Sequence, residues 1–248
     1  MSPSGAGAVL IAGAGPGIGA AVAKRFARAG YNIIAARRNG NEGNLLCEEI
    51  KNEGGFCRSV SCDFRKEEEV FKLVQNTEEE FGSIHCGIHN VGANIGHMNV
   101  VDTSARKYFK SWELAAFSAF LFGREVSKNM IARNKGTIIF TGATASTRGS
   151  AGHCAFSGAM MAKRSFAQSL AREAGPQGVH VAHAVIDGVI DNPNTLKFFS
   201  ENEQFASKLK ELTLILPDDI ADIYLSIHAQ ARSAWTHELD IRPWNEKW

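Results

Sequence analysis

Residues 9–20 read VLIAGAGPGIGA, an apolar run that breaks into glycines and then begins a helix. Val9, Leu10 and Ile11 predict a short buried strand. Gly13, Gly15, Gly17 and Gly19 follow at alternate positions, and Ala20, Ala21, Val22, Ala23 and Phe26 recur at helical spacing up to a stop at Gly30. Strand, glycine turn and helix in this order have the form of a dinucleotide pocket. Glycine is needed where φ is positive, where backbone must approach a pyrophosphate, and where helix packs closely on strand; the helix N-terminus then faces the anion.

Outward from this stretch, apolar strands alternate with helical periods. Strands are predicted at Asn32–Ala36, Cys57–Cys62, Ile84–Val91, Thr137–Thr141, Val179–Ile186 and, last, Ala234–Ile241. Helices are predicted around Leu45–Ile50 and over Glu67–Phe81, Ser104–Arg133, His153–Ala174 and Pro217–Gln230. Such alternation implies one α/β domain of Rossmann-like type over residues 1–248, a doubly wound parallel sheet whose right-handed crossovers place helices on both faces. Ligands gather at the carboxyl ends of such strands. Gly13–Gly19, Arg37, Asp63, Asn90, Ala143 and Asp187 all fall there and are expected to ring one pocket. Residues 191–216 read either as a lid over it or as an amphipathic packing element.

The 248 residues carry a formal net charge of +1, with 44% hydrophobic and 21% charged residues. This is an ordinary globular composition without the electrostatic footprint of a nucleic-acid or anionic-membrane binder. No apolar run is long enough to span a bilayer, and the N-terminus has no secretory pattern, so a cytoplasmic location is expected. Five scattered cysteines without CxxC spacing read as reduced and mostly core. His85 and His89 flank Cys86, but residues four apart in a strand lie roughly 13 Å apart, so no metal site is expected there.

Taken together, AGAGPGIG (12–19), Asp63 after the third strand, HNVG (89–92), GTIIFTGATAS (136–146), AQSLAREAGPQGVHV (167–181) and IDGVIDN (186–192) resemble, in the same order, the signatures of the short-chain dehydrogenase/reductase family. The resemblance implies a nicotinamide cofactor. Gly13, Gly17 and Ile18 would lie at the pyrophosphate, in one loop with Gly15 and Pro16. Asp63 and its neighbour Phe64 would lie near adenine, Asn90 and Gly92 beside the ribose, and Gly188 and Val189 at the nicotinamide. At the end of the second strand an NAD site places an acid for the 2′-hydroxyl, whereas a 2′-phosphate calls for arginine. Ala36, Arg37 and Arg38 stand there with no acid before Glu42, which favours NADP; the alternative is two solvated arginines closing a loop. The resemblance also implies a small-molecule substrate and a homodimer or homotetramer paired through the long helices and C-terminal strand, with Trp235, Trp244 and Trp248 either anchoring that interface or folding back on their own domain.

The family's chemistry uses a tyrosine and a lysine four residues apart, a serine 12 or 13 residues before the tyrosine, and an asparagine in the preceding helix. Here alignment puts Phe156, Met160, Ala143 and Ala115 in those slots. Tyr31, Tyr108 and Tyr224 are all remote from the sixth helix, so no shift of register creates a YxxxK. Lys163, three residues past Met160 and about 60° round the helix, is expected to face solvent. Replacement candidates are Thr144, Ser146 and His153, which either reach substrate or serve the turn and the helix start. Asp187 and Asp191 either bind a cationic substrate or cap the next helix. Three readings follow: an atypical NADP-dependent oxidoreductase, an NADP-binding protein without turnover that acts as sensor or partner subunit, and a non-redox enzyme on the same scaffold.

Overall fold

The structure, a computed structural model, describes residues 7–92, 96–193, 195 and 213–246. Its centre is β1 (Ala8–Ala12), flanked by β2 (Asn32–Arg37) and β4 (Ile84–His89). With β3 (Phe56–Ser61), β5 (Gly136–Thr141), β6 (Val179–Ile186) and β7 (Glu238–Ile241), the described strands form one sheet in the order 3-2-1-4-5-6-7, and every neighbouring pair is parallel. Val9–Ala12 pair with Ile33–Ala36 on one side and with Cys86–His89 on the other. The chain therefore reverses its direction of winding at β1, which opens a crevice at the end of that strand, where the glycine loop begins.

Burial on both faces explains why the strands read as continuous apolar runs rather than alternations. Val9, Ile11 and Ile33 pack with α1 (Ile18–Arg28) and α7 (Pro217–His228) through Val22, Phe26 and Tyr224. Leu10, Ala12 and Ile34 point the other way, into a core with Phe122, Val126 and Phe140. The helices α2 (Asn44–Asn52), α3 (Glu67–Glu80) and α6 (Cys154–Ala174) complete the layers. None of the described helices is long and apolar enough to cross a membrane.

Three elements differ from the sequence reading. The stretch expected as one helix over 104–133 is α4 (Ala105–Trp112), a π-helical turn (Glu113–Phe117) and α5 (Ser118–Ala132). β4 stops at His89, because Asn90 leaves the strand to bond the glycine loop. β7 starts only at Glu238: Arg232–Ala234 form a 3-10 turn, and Gln230 holds the backbone of Thr236 (2.8 Å) and the indole N–H of Trp235 (3.3 Å). Trp235 stacks on His180 at 4.9 Å and so folds back on its own domain. Trp244 is 88% exposed, while Trp248 and most of the expected lid lie outside the described residues.

Candidate functional site

The glycine turn is shaped by its neighbours. Gly13 has φ +86°, and a Cβ there would stand 2.9 Å from the Asn90 carbonyl oxygen; a Cβ on Gly19 would meet the Gly13 carbonyl at 2.5 Å. Any side chain at either position would push the loop off β4 or α1 off the loop. Asn90 fixes the loop from the other side: its N–H donates to Ala12 O (2.8 Å) and its amide to Gly13 O (3.1 Å). Gly17 begins α1, whose first turn carries no acidic side chain and no side-chain cap, leaving the positive end of the helix facing the crevice.

The crevice is a cavity of about 660 Å³ lined by Gly13, Gly15, Pro16, Arg37, Arg38, Asn39, Glu42, Asp63, Phe64, Asn90, Val91, Gly92 and Leu114. Nine of the sequence-predicted cofactor residues thus meet in one place. Ile18, buried in the core, and Gly17, which abuts Asn192, do not line it. Gly188 and Val189 lie elsewhere as well: Gly188 backs onto Pro243 and Ile215, and the Val189 carbonyl accepts from Ile215 N–H (2.9 Å). Ala143 and Asp187, expected on the same ring, are not part of its lining.

Charge in the cavity is organised in two pairs. Arg37 forms a salt bridge with Glu42, which also accepts from the Asn39 amide (3.0 Å). Asp63 accepts from Arg65 Nε (2.9 Å) and a terminal guanidinium nitrogen (2.6 Å), and this arginine holds its carboxyl below the usual range. Phe64 lines the cavity but is buried, against Phe122 (6.0 Å) and His89 (6.5 Å). His89 lies wholly in the core, hydrogen-bonded to Ser118 Oγ (3.0 Å). Burial, aided by the nearby Lys163 charge, pushes its pKa well below the ordinary histidine value, so the ring is neutral.

Next to this cavity the character of the site changes. Ala115, on the π-helical turn, packs with Ala145, Ala159 and Met160 in a small buried cluster bordered by Leu114, Ala143 and Phe156. Ala115, Ala143, Phe156 and Met160 therefore lie together in one apolar patch. The polar candidates around it have internal partners. Ser146 Oγ accepts from the Ala143 N–H (3.1 Å), so this side chain serves its turn. Thr144 donates to Asp187, whose other oxygen faces Arg242 (3.2 Å), with Arg148 at 3.9 Å. Asp187 is thus a buried carboxylate bonded to Thr144 and paired with Arg242 and Arg148. Asp191 connects through its backbone N–H to Ile215 O (2.9 Å). His153 begins α6 without a side-chain cap; its Nδ1 is buried with no hydrogen-bond partner among the described residues, and its ring meets His97 edge-on at 5.6 Å.

Lys163 corrects the sequence reading. It is fully buried, and its ammonium donates to Val91 O (2.7 Å) and Thr141 O (3.1 Å), joining the ends of β4 and β5. It is rotated about 60° from Met160, but it is seven residues from Phe156, and 7 × 100° returns to within about 20° of the same helix face. That i, i+7 spacing was the available signal. Burial lowers its pKa to about 7. Tyr224 lies on the opposite face of the sheet in the other core, its hydroxyl 2.8 Å from Thr141 Oγ1.

A doubly wound sheet, a glycine turn at its switch point and an arginine-edged crevice together define a protein of the nucleotide-binding α/β class. Comparison makes the class specific: the short chain dehydrogenase family pattern matches residues 7–203, and the chain belongs to that family. The crystal structure of a short-chain dehydrogenase from Rhodopseudomonas palustris is 37% identical, with a TM-score of 0.82 over 96% of this chain and 99% of that one. Versicolorin reductase of Emericella nidulans is 29% identical over 242 residues, 91% of this chain and 89% of its own. An actinorhodin polyketide ketoreductase crystallised with NADPH shares the fold at a TM-score of 0.88 and 18% identity.

Proposed function

We propose that the chain is an NADP-dependent oxidoreductase of short-chain dehydrogenase type in which the usual asparagine, serine, tyrosine and lysine are absent. The observation that carries this reading is the juxtaposition of a complete glycine–arginine crevice with the apolar patch of Ala115, Ala143, Phe156 and Met160. Family membership and the names of relatives such as versicolorin reductase and a probable NADP-dependent dehydrogenase of Haemophilus influenzae support the redox class.

The residues present fit a phosphorylated dinucleotide. The uncapped start of α1 and the side-chain-free surface of Gly13 and Gly15 accept a pyrophosphate. Arg37 and exposed Arg38 offer guanidinium donors to a 2′-phosphate, and Asp63 and Asn90 edge the same cavity. A reduced nicotinamide bound there supplies a hydride. The patch beside it excludes water but gives and takes no proton, since neither phenylalanine nor methionine nor alanine has a titratable group. The substrate class this suits already carries its positive charge, as an iminium ion does, or draws its proton from water or from His153. Ordinary ketones are poor substrates here: absence of a positioned acid costs typically 10²–10⁴-fold and of an oxyanion donor about 10²–10³-fold.

A second reading, an NADP-binding protein without turnover, is favoured by the engagement of Thr144, Ser146 and Asp187 with their own neighbours. For either, an oligomer fits the stack Phe109, Trp112, Phe117 and Phe120 (ring separations 5.9–6.2 Å), whose members at 109, 112 and 120 are 38–57% exposed on α4 and α5.

The test is titration with NADPH and NADH followed by thermal shift, comparing wild type with Arg37→Ala. NADPH should raise the melting temperature selectively. Arg37→Ala should weaken it about 10–100-fold while leaving NADH unchanged, as expected for loss of a charge-assisted bond of about 1.5–3 kcal/mol. Turnover of cyclic imines separates the two readings. Binding of neither nucleotide would remove both.

A further inference from the structure

Cys47 on α2 and Cys57 on β3 are ten residues apart in sequence, and their Sγ atoms stand 2.6 Å apart. Both are free thiols, and a disulfide bond, at about 2.05 Å, is only some half an ångström shorter. The pairing follows from topology: α2 runs back along the sheet into β3, the edge strand, so the helix's inner face lies against the strand it feeds.

The chemistry of the pair differs from that of the remaining cysteines. Cys62 and Cys86 are buried, and burial pushes both thiols up, Cys62 to about 12. Cys47 and Cys57 are half-buried and open onto a cleft of about 740 Å³ that also exposes Lys51 and Arg58. The two thiols share a hydrogen bond, and this contact, with Arg58 nearby, lowers the Cys47 pKa, while the same contact and burial push the Cys57 thiol up. Two partly exposed sulfurs in contact, with the Arg58 cation nearby, have the ingredients of a redox couple.

We propose that Cys47 and Cys57 are a reversible dithiol–disulfide site that staples α2 to the sheet edge when the protein meets a hydroperoxide. The Cys47 thiolate attacks the distal peroxide oxygen. The O–O bond breaks, the departing oxygen leaves as water after taking up a proton, and Cys47 becomes a sulfenic acid. The Cys57 sulfur then attacks the Cys47 sulfur. The S–O bond breaks, and the hydroxide leaves as a second water with the Cys57 proton. Two thiols are oxidised to one disulfide and one hydrogen peroxide is reduced to two waters.

The staple also bears on the nucleotide crevice. β3 holds the intervening loop through Ser59 Oγ, which donates to Gly40 O (2.6 Å), and Ser61 Oγ, which accepts from Gly40 N–H (2.9 Å). A bond between 47 and 57 closes a ring immediately after the Gly40–Gly43 turn that carries Glu42, the partner of Arg37.

Trypsin makes the test direct because Lys51 lies between the two cysteines. The folded full chain is treated with stoichiometric hydrogen peroxide, alkylated under denaturing conditions and digested. Peptides 39–51 and 52–58 should appear joined, two hydrogens lighter than their sum, and dithiothreitol should separate them. The joined species should vanish in Cys47→Ser and in Cys57→Ser. In Cys57→Ser, dimedone should trap Cys47 as its sulfenic adduct several-fold more than in wild type. Full alkylation of both peptides after oxidation, crosslinks to Cys62, Cys86 or Cys154 instead, or equal dimedone labelling with and without Cys57 overturns the proposal.

Discussion

Two neighbouring regions at the carboxyl edge of the sheet are built on opposite principles. Around Gly13, Arg37, Asp63 and Asn90 the cavity carries charged and amide side chains, and its backbone and charges are fixed by bonds made within the protein. Around Ala115, Ala143, Phe156 and Met160 the wall is apolar, and the hydroxyls and carboxylate beside it are bonded to each other. On the reading proposed above, a fold can present a binding surface for a nucleotide while offering little acid–base chemistry beside it. Binding and proton transfer are separable properties of one site.

The strongest way to break that comparison is to give the apolar wall the groups it lacks. A variant combining Ala115→Asn, Ala143→Ser, Phe156→Tyr and Met160→Lys should reduce a simple ketone with NADPH about 10²–10⁴-fold faster than wild type, the range for a positioned general acid. Initial rates check this, with NADPH affinity and circular dichroism confirming that the variant is folded. A folded, NADPH-binding variant with no gain would mean that the patch is not where hydride and substrate meet.

A smaller effect probes the seam between the two regions, where Lys163 ties Val91 to Thr141. Its pKa is about 7 when folded and about 10.4 when unfolded, so between these values the unfolded chain binds more protons and stability rises with pH. This rise, a few kcal/mol in all, should be missing from Lys163→Met. The variant should lie about 1–3 kcal/mol below wild type near pH 10, where two carbonyls lose their donor, and the gap should close and then reverse toward pH 7 as the buried charge penalises wild type. Urea unfolding at several pH values measures it. A gap independent of pH would mean that the lysine stays charged within the fold.

The comparison also marks how far the sequence was legible. Periodicity and glycine placement located the sheet, its switch point and the arginine-edged crevice, because each depends on local backbone needs. The apolar patch was readable from four aligned positions. What escaped were facts of three-dimensional partnership: Thr144 and Asp187 neutralise each other's polarity across 43 residues, Lys163 turns inward between two carbonyls, and Cys47 meets Cys57. The π-helical turn at Glu113–Phe117 was invisible for a related reason, since one extra residue in a helix scarcely alters its apolar period.

The finest test concerns Glu42, which lines the crevice beside Arg37 and Arg38. Its side chain is 54% exposed, so its bond to Arg37 is worth less than about 1 kcal/mol and a 2′-phosphate can displace it. Removing the charge in Glu42→Gln takes away both the competitor for the guanidinium and a like charge facing the phosphate. NADPH should then bind about 2–5-fold more tightly at low salt, with the gain shrinking as ionic strength rises, while NADH is unaffected. The opposite pattern, NADH weakened and NADPH unchanged, would make Glu42 the acceptor for a ribose hydroxyl and reverse the cofactor assignment. Measuring both nucleotides on one variant therefore distinguishes an arginine held ready for phosphate from an arginine that merely holds a glutamate in place.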